Sequence, residues 1–455
     1  MKLLSQTEWA GYQGAFIALW TDAAYAYALY EPGELVAVAL QDGAYPALPH
    51  PGAEWFQRLA KDLNGHVAMG EQPALTAIEH FRAPDGRAAW PTFAGPEADG
   101  VHQLAMGPVY GDITEPAHFR FFVLGEQILK LQMRLGYAHR DILRLMRGKS
   151  PRQAARYAAR LTGDATVAHS IAFARAAEAA CGEQAPERAQ VLRATMAELE
   201  RLANHCGDLG MMAGLAGSAL LESRFLLLRE QVAQAAQEAF GHRLMMDVVI
   251  PGGVAGDMAE TGDAALRHVL AVMAGAFADL QRGFAEETIL HERMSGIGVM
   301  PLDLVAAYNA GGYVGRGSGL AVDARIMPGY PPYQAIAMTI PTAQGGDVAA
   351  RVRVRLAEMV ESANLLQHFL ETLPGGAIAL ALPPQTGMGV GVAESFRGPV
   401  WHWLKIENGQ IQDAFIADAS AAHWKLMEHA AMTATLADFP LLESSINPSA
   451  AGVDG

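Results

Sequence analysis

Cysteine is scarce in this chain: its 455 residues include only Cys181 and Cys206. Two thiols exclude a disulfide framework and fit a reducing compartment. They are also too few for the four thiolates of a structural zinc site or an iron–sulfur cluster. Positive charge is short as well, with 33 lysines and arginines against 48 acids and a net charge of −15. A nucleic-acid partner, which demands a basic surface, is excluded on that ground. No run of about 18 apolar residues occurs, so no membrane-spanning helix is expected. Residues 1–8 lack the apolar core of a signal peptide. These absences predict a protein of the cytosol, or one held peripherally on the cytoplasmic face of a membrane.

What is plentiful is apolar: 51% of the residues are hydrophobic, enough for a large core, and the length exceeds the usual single-domain range. The patterning predicts a mainly α chain with small β sections, an α+β fold. Residues 24–40 read as strands around the turn Glu31-Pro32-Gly33, and 50–65 as an amphipathic helix ending at a glycine. A Pro/Gly-rich linker follows over 83–100, closing a small N-terminal α+β domain at 1–95. From 101 onward the reading is mostly helical: 119–135, 151–161, 165–181, 186–215, 223–240 and 263–284 are joined by short breaks, as in a helical bundle. A glycine-rich stretch at 296–319 precedes a helix at 341–373. Residues 378–416 read as a small sheet with hairpins, 420–434 as a last helix, and the remainder as an irregular tail.

Short motifs recur in a fixed order between residues 107 and 454. They are Gly107-Pro108-Val109, Glu115-Pro116, Gly125-Glu126, and Leu135-Gly136-Tyr137-Ala138-His139-Arg140. Then come Glu198 and Arg201 with His205, Pro251-Gly252-Gly253 with Asp257, and Gly315-Arg316-Gly317-Ser318-Gly319 with Asp323 and Arg325. Gly346-Asp347 with Arg351 and Arg355, and Glu394 to Gly398 with His402, complete the series. In this order they resemble the large subunits of energy-converting nickel–iron hydrogenases (group 4, hydrogenase-3/4 type). They resemble equally the related 49 kDa subunit of respiratory complex I. Residues 50–65, Ala83 to Arg87 and Trp90 are similar to the end of the complex I 30 kDa-like small subunit often fused ahead of such chains. The resemblance implies a degenerate domain of that kind at 1–95. At 96–455 it implies a hydrogenase large-subunit-like domain with a helical bundle core.

The departures matter most. The hydrogenase resemblance puts one cysteine pair where Thr162 and Ala165 stand and the other where Ser449 and Gly452 stand. Nickel calls for soft thiolates, and a hydroxyl, a methyl, a second hydroxyl and a hydrogen are no substitute. The family's His-Arg-Gly-x-Glu carboxylate is also missing: His139-Arg140-Asp141-Ile142-Leu143 ends in leucine, with Asp141 as an acid at a shifted position. Hydrogen activation at a nickel–iron centre is therefore not expected. The complex I branch implies a quinone headgroup in the vacated cavity, with His139 as one hydrogen-bond partner and Tyr137 or Thr162 as the second, because the family's tyrosine is Gly163 here.

Arg397 survives from the Pro-Arg-Gly motif, and a buried guanidinium needs an acid, either Asp164 or Asp141. That pair either fills the emptied cavity as scaffold or joins His139 and His169 in a proton-relay or anion-binding cluster. His169, on an apolar helix, reads as a hydrogen-bonded core histidine. Glu126 reads as a helix residue facing solvent or a partner's cluster. His205 and Cys206, adjacent on a helix, point about 100° apart and make poor joint ligands. Residues 315–319 lack the strand-to-helix context of a phosphate loop and read as tight packing.

The expected function is that of a metal-free large subunit in a membrane-associated redox complex. It carries no cofactor of its own beyond the quinone, and the iron–sulfur cluster sits in its partner. The resemblance implies as partners an iron–sulfur small subunit of the complex I B type, and membrane-embedded proteins of the antiporter-like and complex I H types. It implies a peripheral position on the cytoplasmic face of the inner membrane. The alternatives are a quinone-binding catalytic subunit, as in NADH–quinone oxidoreductase, and a redox-inactive structural or interaction subunit. Because the sequence stops at Gly455, shortly past the replaced ligand, no C-terminal trimming of the hydrogenase type is expected, and an intact-mass measurement checks this.

Overall fold

Apolar alternation and the Glu31-Pro32-Gly33 turn build the first sheet of the computed structural model, which describes residues 1–70, 93–110 and 115–455. Strands β1 (Lys2–Leu4), β2 (Phe16–Thr21), β3 (Tyr25–Tyr30) and β4 (Glu34–Ala39) pair in the order β1-β4-β3-β2, parallel only at β1/β4. Helix α1 (Gln6–Ala10) opens on a Ser5/Glu8 capping box. Helix α2 (Ala53–Asn64) stops at left-handed Gly65 and packs on β2, beside the parallel pair β5 (Ala44–Pro46) and β6 (Val67–Met69). Residues 83–92 of the expected linker, with the Ala83-to-Arg87 and Trp90 matches, lie outside the described residues.

This layer shares its core with the rest of the chain. Trp20 stacks on Phe415 with ring centroids 4.7 Å apart, and Lys405 Nζ donates to Asp22 at 2.9 Å. One hydrophobic cluster runs from Tyr27 here to Leu202 in the helical core.

The helix expected at 119–135 is a β-hairpin. Strands β7 (Val101–Met106), β8 (His118–Leu124) and β9 (Gln127–Arg134) form an antiparallel meander. The cause is visible in the side chains: Ile128, Leu131, Met133 and Leu135 are buried along β9 and just beyond it, while Gly125 takes φ +60° at the turn. Glu126 is accordingly an exposed turn residue, not a helical one, and its carbonyl accepts from the Leu436 amide at 2.9 Å.

The helical core follows as α3 (Ile142–Met146), α4 (Pro151–Ala158), α5 (Thr166–Cys181), α6 (Glu187–Leu215) and α7 (Ala219–Phe240). The short pair β10 (Val249–Ile250) and β11 (Gly253–Val254) leads into α8 (Gly262–Glu286) and α9 (Thr288–Met294). Helices α10 (Leu302–Ala307) and α11 (Gly312–Gly317) take up the glycine-rich stretch, and α12 (Val348–Thr372) packs on α6. An antiparallel sheet of β12 (Gly387–Ser395), β13 (Gly398–Glu407) and β14 (Gln410–Ala417) lies against α5. The end of the chain is not irregular: after α13 (Ser420–Ala430), helices α14 (Phe439–Ile446) and α15 (Ala450–Asp454) are separated by left-handed Asn447. Among the described residues no helix is long and apolar enough to cross a membrane.

Two features fix the site. The first is the seat of α5 on β12. A β-carbon added at Gly387, Gly389 or Gly391 would come within 2.3, 2.1 and 2.1 Å of the carbonyl oxygens of Ala180, Ala176 and Ala172. Alternate strand residues and every fourth helix residue thus meet backbone to backbone. The second is a buried ion network. Arg316 on α11 bridges Glu358 of α12 and Glu394 of β12 and reaches Asp323 at 3.0 Å. Arg325 holds Asp323 (2.7 Å) and Glu198 (2.9 Å), Arg201 holds Glu198 (3.2 Å), and His205 meets Glu358 (2.8 Å).

Candidate functional site

The loop before α5 and the loop before α15 face each other across the guanidinium of Arg397, which leaves the β12/β13 turn almost fully buried. One arm of its fork donates to Asp164 Oδ1 at 3.0 Å and the other to Asp164 Oδ2, while Nε donates to the Asn447 carbonyl. Arg397 therefore ties the first expected cysteine segment to the last. Burial disfavours its charge, but Asp164 outweighs that and holds the guanidinium firmly protonated. Asp141, the other expected partner, is not there. It takes φ +58° at the start of α3 and pairs with Arg144 at 3.6 Å near the surface.

None of the four positions assigned to nickel thiolates carries a thiolate, and Ser449 and Gly452 have other roles. Thr162 is buried and its Oγ1 has no hydrogen-bond partner. Ala165 contributes a buried methyl at the start of α5. Ser449 caps α15: its Oγ accepts from the Gly452 amide at 3.0 Å and donates to the Glu115 carboxylate at 2.8 Å. Gly452 has no room for a side chain, since a β-carbon there would stand 2.8 Å from the Asp418 carboxyl carbon. This donor set does not fit nickel. Gly452→Ala is expected to cost about 1–3 kcal/mol in chemical denaturation, because Asp418 is itself held by His169 and the Ser420 amide and cannot swing aside. A neutral substitution would show that the contact is not tight.

Acids converge on this spot. Glu115 accepts from the Ala451 amide at 2.8 Å as well as from Ser449, and burial raises its pKa against those bonds and against Arg397. Asp454 accepts from the amides of Gly136 and Ala138, both at 2.9 Å, yet burial pushes it up to about 7. Glu200 accepts from the Val167 and Ala168 amides at the start of α5, and burial carries it to about 8, helped by Asp164. Asp418 goes the other way: although burial opposes ionisation, the His169 hydrogen bond and Arg397 hold it well below the ordinary carboxylate range. His169 spans Asp418 and His402, 3.0 Å from each, and burial keeps His402 neutral at physiological pH. The His402–His169–Asp418 contacts thus form one continuous hydrogen-bonded row.

His139 is half buried in a neighbouring place. Its Nδ1 meets the Asp454 carbonyl at 2.6 Å, and its ring lines a cleft of about 160 Å³ between the N-terminal layer and β14. Trp20, Phe56, Leu59 and Phe415 wall that cleft, with Asn64 and Arg144 as polar neighbours. Thr162 and Tyr137 are not among its walls. The structure thus brings Asp164, Arg397 and His169 together around Asp418 and sets His139 apart from them. Glu115, Glu200, Asp418 and Asp454 were given no role from the sequence. The available signals were the motif Glu115-Pro116 and Asp418 set two residues ahead of the α13 start. Among the described residues no group of three or more His, Cys, Asp or Glu is arranged to hold a metal ion.

Comparison with known proteins agrees with the fold. Residues 223–388 match the family of the respiratory-chain NADH dehydrogenase 49 kDa subunit, and residues 140–207 match the nickel-dependent hydrogenase family. Formate hydrogenlyase subunit 5 of Escherichia coli is 28% identical over 88% of this chain and 74% of its own length. A subunit of the NADH-quinone oxidoreductase of Herpetosiphon aurantiacus is 32% identical over 60% of this chain and 74% of its own. The membrane-bound hydrogenase subunit alpha of Pyrococcus furiosus is 27% identical over 68% and 76%. A solved chain from the membrane-bound sulfane sulfur reductase, an archaeal respiratory membrane complex, superposes with a TM-score of 0.74 at 22% identity, covering 79% of this chain and all of that one. The chain belongs to the family formed by the 49 kDa subunits of complex I (NADH-quinone oxidoreductase) and the related energy-converting nickel–iron hydrogenase large subunits, as a divergent member without the nickel-ligand cysteines.

Proposed function

We propose that this chain is the metal-free large subunit of a membrane-associated, complex I-related redox complex, with no hydrogenase activity of its own. It packs against an iron–sulfur small subunit and answers to an ion-translocating membrane arm. The observation that supports the reading is the Arg397 bridge from Asp164 to Asn447, which ties the segment of Thr162 and Ala165 to that of Ser449 and Gly452. The relatives support the setting, since a formate hydrogenlyase, a membrane-bound hydrogenase and NADH-quinone oxidoreductases contribute the matching subunits. In place of a metal the pocket offers Glu200 and Asp454, buried acids raised to about 8 and about 7 and so able to hold and release protons near neutrality, with Glu115 beside them also raised by burial. Metal analysis of the complex purified from its native membrane tests this. The expected result is no nickel on this chain and co-purification of an iron–sulfur subunit. Stoichiometric nickel overturns the metal-free reading, and a lone chain without an iron–sulfur partner overturns the assembly.

A second reading, a quinone headgroup bound at His139, is favoured by the cleft that His139 lines, where the aromatic rings of Trp20, Phe56 and Phe415 stand beside polar side chains. A quinone analogue is then expected to protect His139 from diethyl pyrocarbonate. Unchanged labelling with the analogue in excess removes that reading and leaves the first intact.

A further inference from the structure

Away from the Arg397 pocket, a polar cavity of about 70 Å³ opens beside the middle of α5, between α6 and the segment carrying Tyr330 and Tyr333. Arg175 lines it. Among the described residues no hydrogen bond or ion pair reaches the Arg175 guanidinium, its Nε is closed off from solvent without a partner, and its carbon stands 4.7 Å over the Tyr330 ring. The acid one turn along the helix is already committed. Glu178 accepts from Arg193 at 2.6 and 3.3 Å and from the Gly252 amide at 2.9 Å. Arg193 also donates to the carbonyls of Ile250 (2.7 Å) and Gly253 (3.1 Å). Glu178 and Arg193 therefore neutralise each other, and Arg175 is left as a surplus cation in a largely enclosed space. Arg175 is only partly buried, but its guanidinium keeps its proton at any ordinary pH, and its unpaired donors at the cavity can take an anion.

We propose that this cavity binds a small carboxylate of one or two carbons, held in the fork of Arg175. The planar guanidinium presents two parallel N–H donors that match a carboxylate's two oxygens. Ile171 and Ala194 in the lining supply an apolar wall for a hydrogen or methyl substituent. A cavity of this size, far below the several hundred Å³ of drug-sized sites, excludes nucleotides and sugar phosphates. The site shares no lining residue with the Arg397 pocket, and its existence does not depend on the function proposed above.

Titration of the full-length chain with sodium acetate and sodium formate, at constant ionic strength set by chloride, tests the proposal by 13C line broadening of the ligand and by thermal shift. Saturable binding of one or both ions is expected. Arg175→Gln should weaken it by at least about tenfold, and Arg175→Lys, which keeps the charge but loses the fork, should fall between the two. Either variant that folds suffices, because thermal shift reports folding in the same experiment. A response that does not saturate, wild-type binding by Arg175→Gln, or tighter binding of inorganic phosphate than of acetate would each overturn it.

Discussion

Arg316→Met is expected to remove about 3–5 kcal/mol of stability, the range for stranding buried charge, out of a total that for most domains is only about 5–15 kcal/mol. The network contains the acids Glu198, Asp323, Glu358 and Glu394 and the arginines Arg201, Arg316 and Arg325, so four acids face three guanidiniums even before the change. That imbalance shows in Glu394, which burial and the nearby Asp323 push up to about 7. Glu358, although burial opposes its charge, is held well below the ordinary range by Arg316 and His205.

The pH dependence gives the discriminating sign. In the parent protein the depressed Glu358 and Asp323 stabilise the fold above their unfolded values, and this contribution is lost as pH falls through their folded ones. Without Arg316, Glu358 loses its strongest partner while Asp323 keeps Arg325, so the folded value of Glu358 is expected to rise above its unfolded one and the folded state to bind an extra proton. The variant should therefore recover stability as pH is lowered from about 8 to about 5, whereas the parent gains nothing from these two acids over that interval. Urea midpoints at both ends of the range measure this. An equal deficit at both pH values would mean that the loss is one of packing and not of charge.

Arg397→Met is the second large effect, about 3 kcal/mol, at the low end because the Asp164 side chain is 35% exposed and water can take over part of its solvation. The variant leaves Glu115, Asp164 and Asp418 in one pocket without a cation. It also frees the Asn447 carbonyl, so amide exchange over residues 447–452 should accelerate more than exchange in α6. Asp164→Asn should cost less. It leaves the guanidinium facing Glu115 and Asp418, either of which can take up the charge. A reversed order, with Asp164→Asn the more damaging, would show that Asp164 matters through something other than Arg397.

Much of this was legible before any coordinates. The helices from α4 to α8 follow their apolar periodicity, the sheet β12–β14 follows its alternation, and the choice of partner for Arg397 was narrowed to two acids, one of which the structure selects. The hairpin β8–β9 was misread because residues 119–135 are apolar at spacings that satisfy a helix face nearly as well as alternate strand positions. Glu115, Glu200, Asp418 and Asp454 were given no role for a different reason. A carboxylate destined for burial has the same letter as one on the surface, and these four come from separate parts of the chain that only the fold assembles. Likewise the His139 cleft draws its walls from β2, α2 and β14, a grouping no local pattern announces.

The glycines of β12 have one more effect. Met388, Val390 and Val392 alternate with Gly387, Gly389 and Gly391 along the strand, so a slip of a single residue would drive methionine and valine side chains into the main chain of α5. The strand is thus confined to a single alignment. Through the turn that follows, that alignment also dictates where Arg397 emerges, so three residues without side chains aim the guanidinium that joins Asp164 to Asn447.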